Sequence, residues 1–144
     1  MIVLDAYAVI ALLRGERAAT DVADLLVGET CALTPLGVAE VVDRLVRLAG
    51  ADPDDVALDL AELGLLEPRP LTAAAAVRAG SLRSRRYHGS ACAVSLADCV
   101  VVEVAREEGG VVATSDPHLL DVCLAEELPA VVLPDTTGRY WTPP

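Results

Sequence analysis

The sequence predicts an α/β sandwich around a mainly parallel sheet. Short apolar runs alternate along the chain with longer stretches of helical character. Helix-start and helix-stop residues fall at the joints between them. The chain has 144 residues, 53% of them hydrophobic, which suits one domain around one core. Phe is absent, so Ala, Val and Leu must fill that core.

Ile2-Val3-Leu4 is a short strand ended by Asp5, and Ala6 to Leu13 begins a helix. Arg17 to Val27 is a second helical stretch, closed by Gly28. Cys31 to Leu33 reads as a strand. Thr34-Pro35 then supplies an N-cap and a first helical residue, with the helix running to Leu48 and Gly50 just beyond it. Asp52-Pro53 opens another helix, to about Leu63. The segment from Leu65 to Leu71 holds Pro68 and Pro70, so it is a poor central strand and is expected at most at an edge. Thr72 to Arg85 is an Ala-rich helix, and Tyr87 to Ala91 is a loop around Gly89.

The stretch from Ser95 to Glu108 gives conflicting local signals. Cys99 to Val104 has strand propensity, but Ser95-Leu96-Ala97-Asp98 resembles a capping box and Gly109-Gly110 a helix end. Its length and both end signals predict a helix. Val111 to Thr114 is a strand. Asp116-Pro117 opens a helix to about Glu127, and Ala130 to Leu133 is the last strand. From Pro134 the tail is irregular. No repeat, linker or second domain is visible, so one domain is expected over 1–144.

The charge is lopsided: 22 acidic residues oppose 11 basic ones, all arginine, for a net charge of −11. Strong non-specific binding to a polyanion is therefore disfavoured unless cations or clustered arginines reverse the field locally. A basic partner suits the same charge. Cys31, Cys92, Cys99 and Cys123 form no C-x-x-C pair, so they are read as reduced, small apolar residues. No signal peptide or bilayer-length apolar run is visible, and a cytoplasmic location away from membranes is expected.

Asp5 and Asp116 each follow an apolar strand and open a helix. In a parallel sheet such positions lie at the carboxyl edge, where active sites form. Glu40 and Asp98 lie in early helical turns. Singly, each acid has a structural explanation as a cap or a solvated residue. Gathered in one cleft, they would repel one another and suit a hard divalent cation, Mg²⁺ or Mn²⁺.

These pieces carry a family resemblance. Ile2-Val3-Leu4-Asp5-Ala6, Val38-Ala39-Glu40-Val41, Ser95-Leu96-Ala97-Asp98 and Ala113-Thr114-Ser115-Asp116, in this order and spacing, resemble a PIN domain, and more closely the VapC-type toxins of toxin–antitoxin pairs. The resemblance implies a three-layer α/β/α sandwich. It implies metal-dependent RNA cleavage, with Asp5, Glu40, Asp98 and Asp116 as catalytic metal ligands and Thr114 in support. It implies an antitoxin partner that covers the cleft. A homodimer is also expected. Where many relatives have Ser or Thr two residues after the first Asp, this chain has Tyr7.

Arg83, Arg85 and Arg86, the densest basic run, are candidate RNA-phosphate contacts, or else a helix end favoured by its dipole. Arg14 and Arg17 are weaker candidates. His118 reads as a surface residue, and Tyr140-Trp141 as a tail anchor. The competing function is a silent PIN-like module that binds a partner without cutting. A phosphoacceptor domain is set aside because the chain has no lysine, and a P-loop hydrolase because it lacks G-x-x-x-x-G-K-[ST].

Overall fold

The computed structural model describes residues 1–67 and 69–144. Among these, four strands form one fully parallel sheet in the order β2-β1-β3-β4. The strands are β1 (Ile2–Leu4), β2 (Cys31–Ala32), β3 (Val111–Thr114) and β4 (Ala130–Val132). The helices are α1 (Ala6–Arg14), α2 (Ala19–Gly28), α3 (Pro35–Ala49), α4 (Pro53–Glu62), α5 (Ala73–Arg86), α6 (Leu96–Glu107) and α7 (Pro117–Ala125).

Strand periodicity divides the core into two layers. Ile2, Leu4 and Ala113 face one way and pack with Val9, Val22, Val41 and Leu60 from α1 to α4. Val3 and Val112 face the other way, against Leu82, Val104, Leu119 and Val122 from α5 to α7. Alternate side chains of a strand point to opposite faces, so three- and four-residue strands still seed both layers. The outcome is the expected three-layer α/β/α sandwich.

The helix boundaries follow the capping chemistry. The Thr34 hydroxyl accepts from Gly37 N–H at 3.0 Å, and Gly50 closes α3 in the left-handed region at φ 66°. The ambiguous stretch is helical: Ser95 and Asp98 form a reciprocal capping box, with Asp98 N–H to Ser95 Oγ at 3.0 Å and Ser95 N–H to Asp98 Oδ2 at 2.8 Å. Its valines lie in the core between the sheet and α5, so burial outweighs their strand propensity. Two expectations change. Gly28 is the last residue of α2 rather than its stop. No edge strand forms among the described residues of 65–71; Pro68 itself lies outside them. One backbone bond, from Arg69 N–H to Leu33 O at 3.1 Å, runs beside β2, and Pro70 has no N–H with which to extend it.

Ion pairs tie α5, α6 and the end of α7 together. Buried Glu103 accepts from Arg78 at 2.9 Å and lies 3.7 Å from Arg106, which reaches Glu126 at 3.2 Å. All four cysteines are free, and no helix among the described residues is long and apolar enough to cross a membrane.

At the opposite end of the sheet from Asp5 and Asp116, β1 and β3 approach closely where Gly110 meets the chain start. A Cβ on Gly110 would stand 2.7 Å from the Met1 carbonyl oxygen, which accepts from Val111 N–H at 3.1 Å. Gly110→Ala is therefore expected to lower stability by about 1–3 kcal/mol. Gly80→Ala meets nothing within 4 Å inside α5 and is expected to raise it by about 0.4–1 kcal/mol. Thermal melts of the two variants test the contrast, and equal melting temperatures would remove the close approach as a constraint.

Candidate active site

The sheet order reverses direction at β1: β2 lies on one side and β3 on the other. The carboxyl ends of β1 and β3 therefore frame a crevice of the kind where ligands bind in open parallel sheets. Asp5 leaves β1 there as the N-cap of α1, and Asp116 follows β3 as the N-cap of α7.

Asp5 is buried. Its Oδ1 accepts from Ala8 N–H at 2.7 Å, and its Oδ2 accepts from the Thr114 hydroxyl. The same Thr114 oxygen accepts from Asp116 N–H at 2.9 Å. One hydroxyl thus joins the ends of β1 and β3 and fixes the two acids relative to each other. Asp116 Oδ1 accepts from His118 N–H at 2.8 Å. Asp98 enters from the first turn of α6, with its Oδ2 on the capping box.

Two of the three aspartates are shifted. Burial lifts the Asp5 carboxyl from an ordinary 3.8 to about 7; bonds from Thr114 and Ala8 pull it down, and the charges of Asp98 and Asp116 push it up. Asp116 is also raised, first by burial, against the bond from His118 N–H and with a further push from Asp98. Glu40 is engaged elsewhere. Its Oε1 accepts from Arg44 Nε at 3.1 Å, and the Arg44 guanidinium lies 4.4 Å from the centre of the Tyr7 ring. The structure therefore joins Asp5 and Asp116 through Thr114, sets Asp98 near enough for its charge to raise both, and pairs Glu40 with Arg44, which in turn covers Tyr7.

The donor chemistry suits a hard divalent cation: carboxylate oxygens, one of them buried without a cationic partner of its own. The geometry is open. Among the described residues, no three His, Cys, Asp or Glu side chains converge closely enough to grip one ion.

The basic run on α5 divides. Arg85 and Arg86 turn to Glu126, at 3.7 and 2.8 Å. Arg83 donates to Val94 O at 3.2 Å, just before the α6 cap, and lies over Tyr87. His118 differs from a plain surface residue. It is half-buried, and its Nδ1 is enclosed without a hydrogen-bond partner among the described residues. Trp141 Nε1 donates to Asp121 at 3.1 Å, which makes the tail an anchored one. The contact between Arg44 and Tyr7 escapes sequence reading because it joins two helices; only the Glu40–Arg44 spacing of four residues signals part of it.

The PIN domain family model matches residues 2–124. The chain belongs to the PIN domain family. No curated protein sequence matches this PIN domain significantly. Solved structures share its fold at low identity. FitAcB from Neisseria gonorrhoeae is 20% identical, with a TM-score of 0.64 over 90% of this chain and 96% of that one. VapBC2 from Rickettsia felis, bound to a DNA fragment from their promoter, is 17% identical, with a TM-score of 0.64 over 91% and 98%. VapC20 from Mycobacterium tuberculosis, a sarcin-ricin loop cleaving toxin, is 16% identical, with a TM-score of 0.65 over 84% and 94%.

The raised Asp5 carboxyl has a consequence for stability. An acid whose folded value exceeds its unfolded one binds its proton more readily when folded. Its contribution is complete below about pH 4 and is lost as pH rises to about 7. Without divalent ions, the PIN domain is expected to lose up to about 4 kcal/mol across that range through this residue. Asp5→Asn cannot ionise and should escape the loss. Denaturant unfolding of both proteins in chelator measures it, and parallel pH profiles would refute it.

Proposed function

We propose that this PIN domain is a divalent-metal-dependent endoribonuclease and the toxin of a toxin–antitoxin pair. The observation that supports it most is the pair of aspartates at the carboxyl ends of β1 and β3, Asp5 and Asp116, joined through Thr114 and both raised in part by the charge of Asp98 on α6. The wider support is the PIN family match and the fold shared with toxin structures, one of them named as a sarcin-ricin loop cleaving toxin.

In this reading Asp5, Asp98 and Asp116 would hold Mg²⁺ or Mn²⁺, with Glu40 as the fourth candidate ligand. When bound, the ion supplies an acidified water and neutralises charge on the phosphoryl oxygens. Thr114 keeps Asp5 and Asp116 in register, since its hydroxyl donates to one and accepts from the backbone of the other. The Asp98 carboxylate stays fixed by the α6 cap, so it enters the crevice with little rotameric freedom to lose. Arg83, beside the start of α6, is the member of the basic run best available to an RNA phosphate.

The alternative is a PIN module that binds without cutting. What favours it is the open arrangement of the acids, with Glu40 tied to Arg44. RNA cleavage assays separate the two. Cleavage is expected with Mg²⁺ or Mn²⁺ and should vanish in EDTA. Asp98→Asn is expected to reduce it on the order of a hundredfold or more. The amide still offers an oxygen to Ser95 N–H, so circular dichroism should show an intact fold. Undiminished cleavage in EDTA would sink the metal mechanism, and wild-type rates in Asp98→Asn would leave that residue a cap.

The partner in this reading is a basic antitoxin segment that sets an Arg among the acids, where a guanidinium answers several carboxylates. Toxin–antitoxin complexes are among the structures that share the fold, as in Klebsiella pneumoniae. The exposed Val27, Leu48 and Leu58 on α2, α3 and α4 offer apolar contact for an antitoxin or for a second copy. Expression of the chain alone is expected to arrest growth, and co-expression with its neighbouring reading frame to relieve the arrest and yield a co-purifying complex. A harmless chain that captures nothing yet cuts RNA in vitro would remove the toxin role and keep the nuclease.

A further inference from the structure

We propose that the cleft between the α1–α2 connection and the turn at 135–139 is a subsite for one unpaired nucleotide beside the phosphate that is cut, with Arg17 holding its phosphate and Tyr7 its base. The proposal rests on the ribonuclease reading and adds a specificity site to it. Tyr7, Arg17, Ser115 and Thr136 line the cleft, together with the acids Glu16 and Asp135. Two of these residues belong to the segments that carry the acids: Tyr7 lies two positions after Asp5, and Ser115 separates Thr114 from Asp116. The cleft itself is a narrow slot of about 30 Å³, and outward, past Gly15, Arg17 and Thr136, it opens onto a shallow surface depression of about 570 Å³; the phosphate would sit in that depression, with the base against the exposed part of the Tyr7 ring.

The charge pattern singles out Arg17. Among the described residues, nine of the eleven arginines stand within 4.0 Å of a carboxylate; Arg17 and Arg83 do not. The two acids that line the cleft are already engaged. Glu16 lies 3.7 Å from Arg14. Asp135 Oδ1 accepts from Thr137 N–H at 2.8 Å, from the Thr137 hydroxyl at 2.7 Å and from Arg139 N–H at 3.0 Å. Arg17 is thus an exposed cation with no carboxylate partner among the described residues, in a protein of net charge −11, and it shares its cleft with Tyr7 and Ser115, which are near neighbours in sequence of Asp5 and Asp116. A phosphate is the anion that an RNA chain would bring to it.

The aromatic wall suits a base. Tyr7 is 43% exposed, and the Arg44 guanidinium against its ring leaves part of it open to the cleft. Unpaired bases stack on such rings whatever their sequence, whereas a paired base in a duplex offers no free face. The opposite wall is built rather than loose. Gly138 turns the chain at φ 85° against the Arg17 stem, and the Tyr140 hydroxyl donates to Asp21 at 3.4 Å.

The test compares Arg17→Ala, Arg17→Lys, Tyr7→Ala and Tyr7→Phe with Arg47→Ala, which removes an arginine paired with Asp43 on exposed α3. A single-stranded RNA oligonucleotide is the probe, assayed for cleavage in Mg²⁺ and for binding by fluorescence anisotropy. Arg17→Ala should raise KM and Kd on the order of tenfold, more than it lowers kcat, and should cut the salt-dependence slope of binding by about 1; Arg17→Lys should recover part of both. Tyr7→Ala should weaken binding roughly five- to a hundredfold, and Tyr7→Phe should stay near wild type. Arg47→Ala should match wild type throughout. Unchanged binding in both Arg17→Ala and Tyr7→Ala, or an equal loss in Arg47→Ala, would overturn the subsite. If the wild type binds RNA but does not cut it, the nuclease reading falls, and the anisotropy series alone decides the subsite.

Discussion

The fold depends on a buried carboxylate at the point where the sheet changes direction. Asp5 ends β1, caps α1 and accepts the Thr114 hydroxyl from the end of β3. These bonds fix where the first helix starts and how the two central strands finish. They also force a charge-bearing group into a place that water does not reach. Thr114, wholly buried, meets the demand by using both sides of its hydroxyl, donating to Asp5 and accepting from Asp116 N–H. A valine of the same shape would keep the packing and leave both partners unpaired, which costs more than the packing returns. The junction is therefore organised around the acid and not around the core beneath it.

Electrostatics elsewhere in the chain reinforce this separation. Most of the arginines are spent on nearby carboxylates, as in the chain from Arg78 through Glu103 and Arg106 to Glu126. Those pairs couple helices on one face of the sheet and leave little positive charge free to approach the three aspartates. A PIN domain with this balance keeps its crevice negative by sequestering its own cations. That state favours small hard ions and cationic groups from outside over the protein's own side chains.

Most of the fold was legible in the sequence because its boundaries are chemical. Thr34-Pro35, Asp52-Pro53 and Asp116-Pro117 mark helix starts through groups that must satisfy free N–H donors. Gly50 marks an end through its φ. The stretch Cys99 to Val104 was ambiguous because a β-branched run serves a buried helix and a buried strand equally well. The length of the stretch, the cap at Ser95 and Asp98 and the Gly109-Gly110 end distinguish them. Gly28 misled because a glycine with no left-handed turn to make is merely a weak helical residue. Of the candidate site, the positions of Asp5 and Asp116 followed from strand ends. The contact of Arg44 with Tyr7, the turn of Arg85 and Arg86 toward Glu126, and the cleft around Arg17 are contacts between distant segments, which no local pattern encodes.

The shortness of the outer strands bears on how the molecule behaves in a crowd. A sheet edge with unpaired N–H and C=O groups is a template on which another chain can add a strand. Here β2 is two residues long and β4 three. The backbone at Arg69 lies beside the β2 end, and the Trp141 indole, held by Asp121, shares a crevice with Ala130 and Val132 of β4. Neither edge presents the five or six free positions of an ordinary strand. A protein that is more than half hydrophobic thereby limits edge-to-edge pairing through brevity, cover and prolines beside both edges, Pro70 near β2 and Pro129 before β4, without the lysines that sheets elsewhere place on their margins.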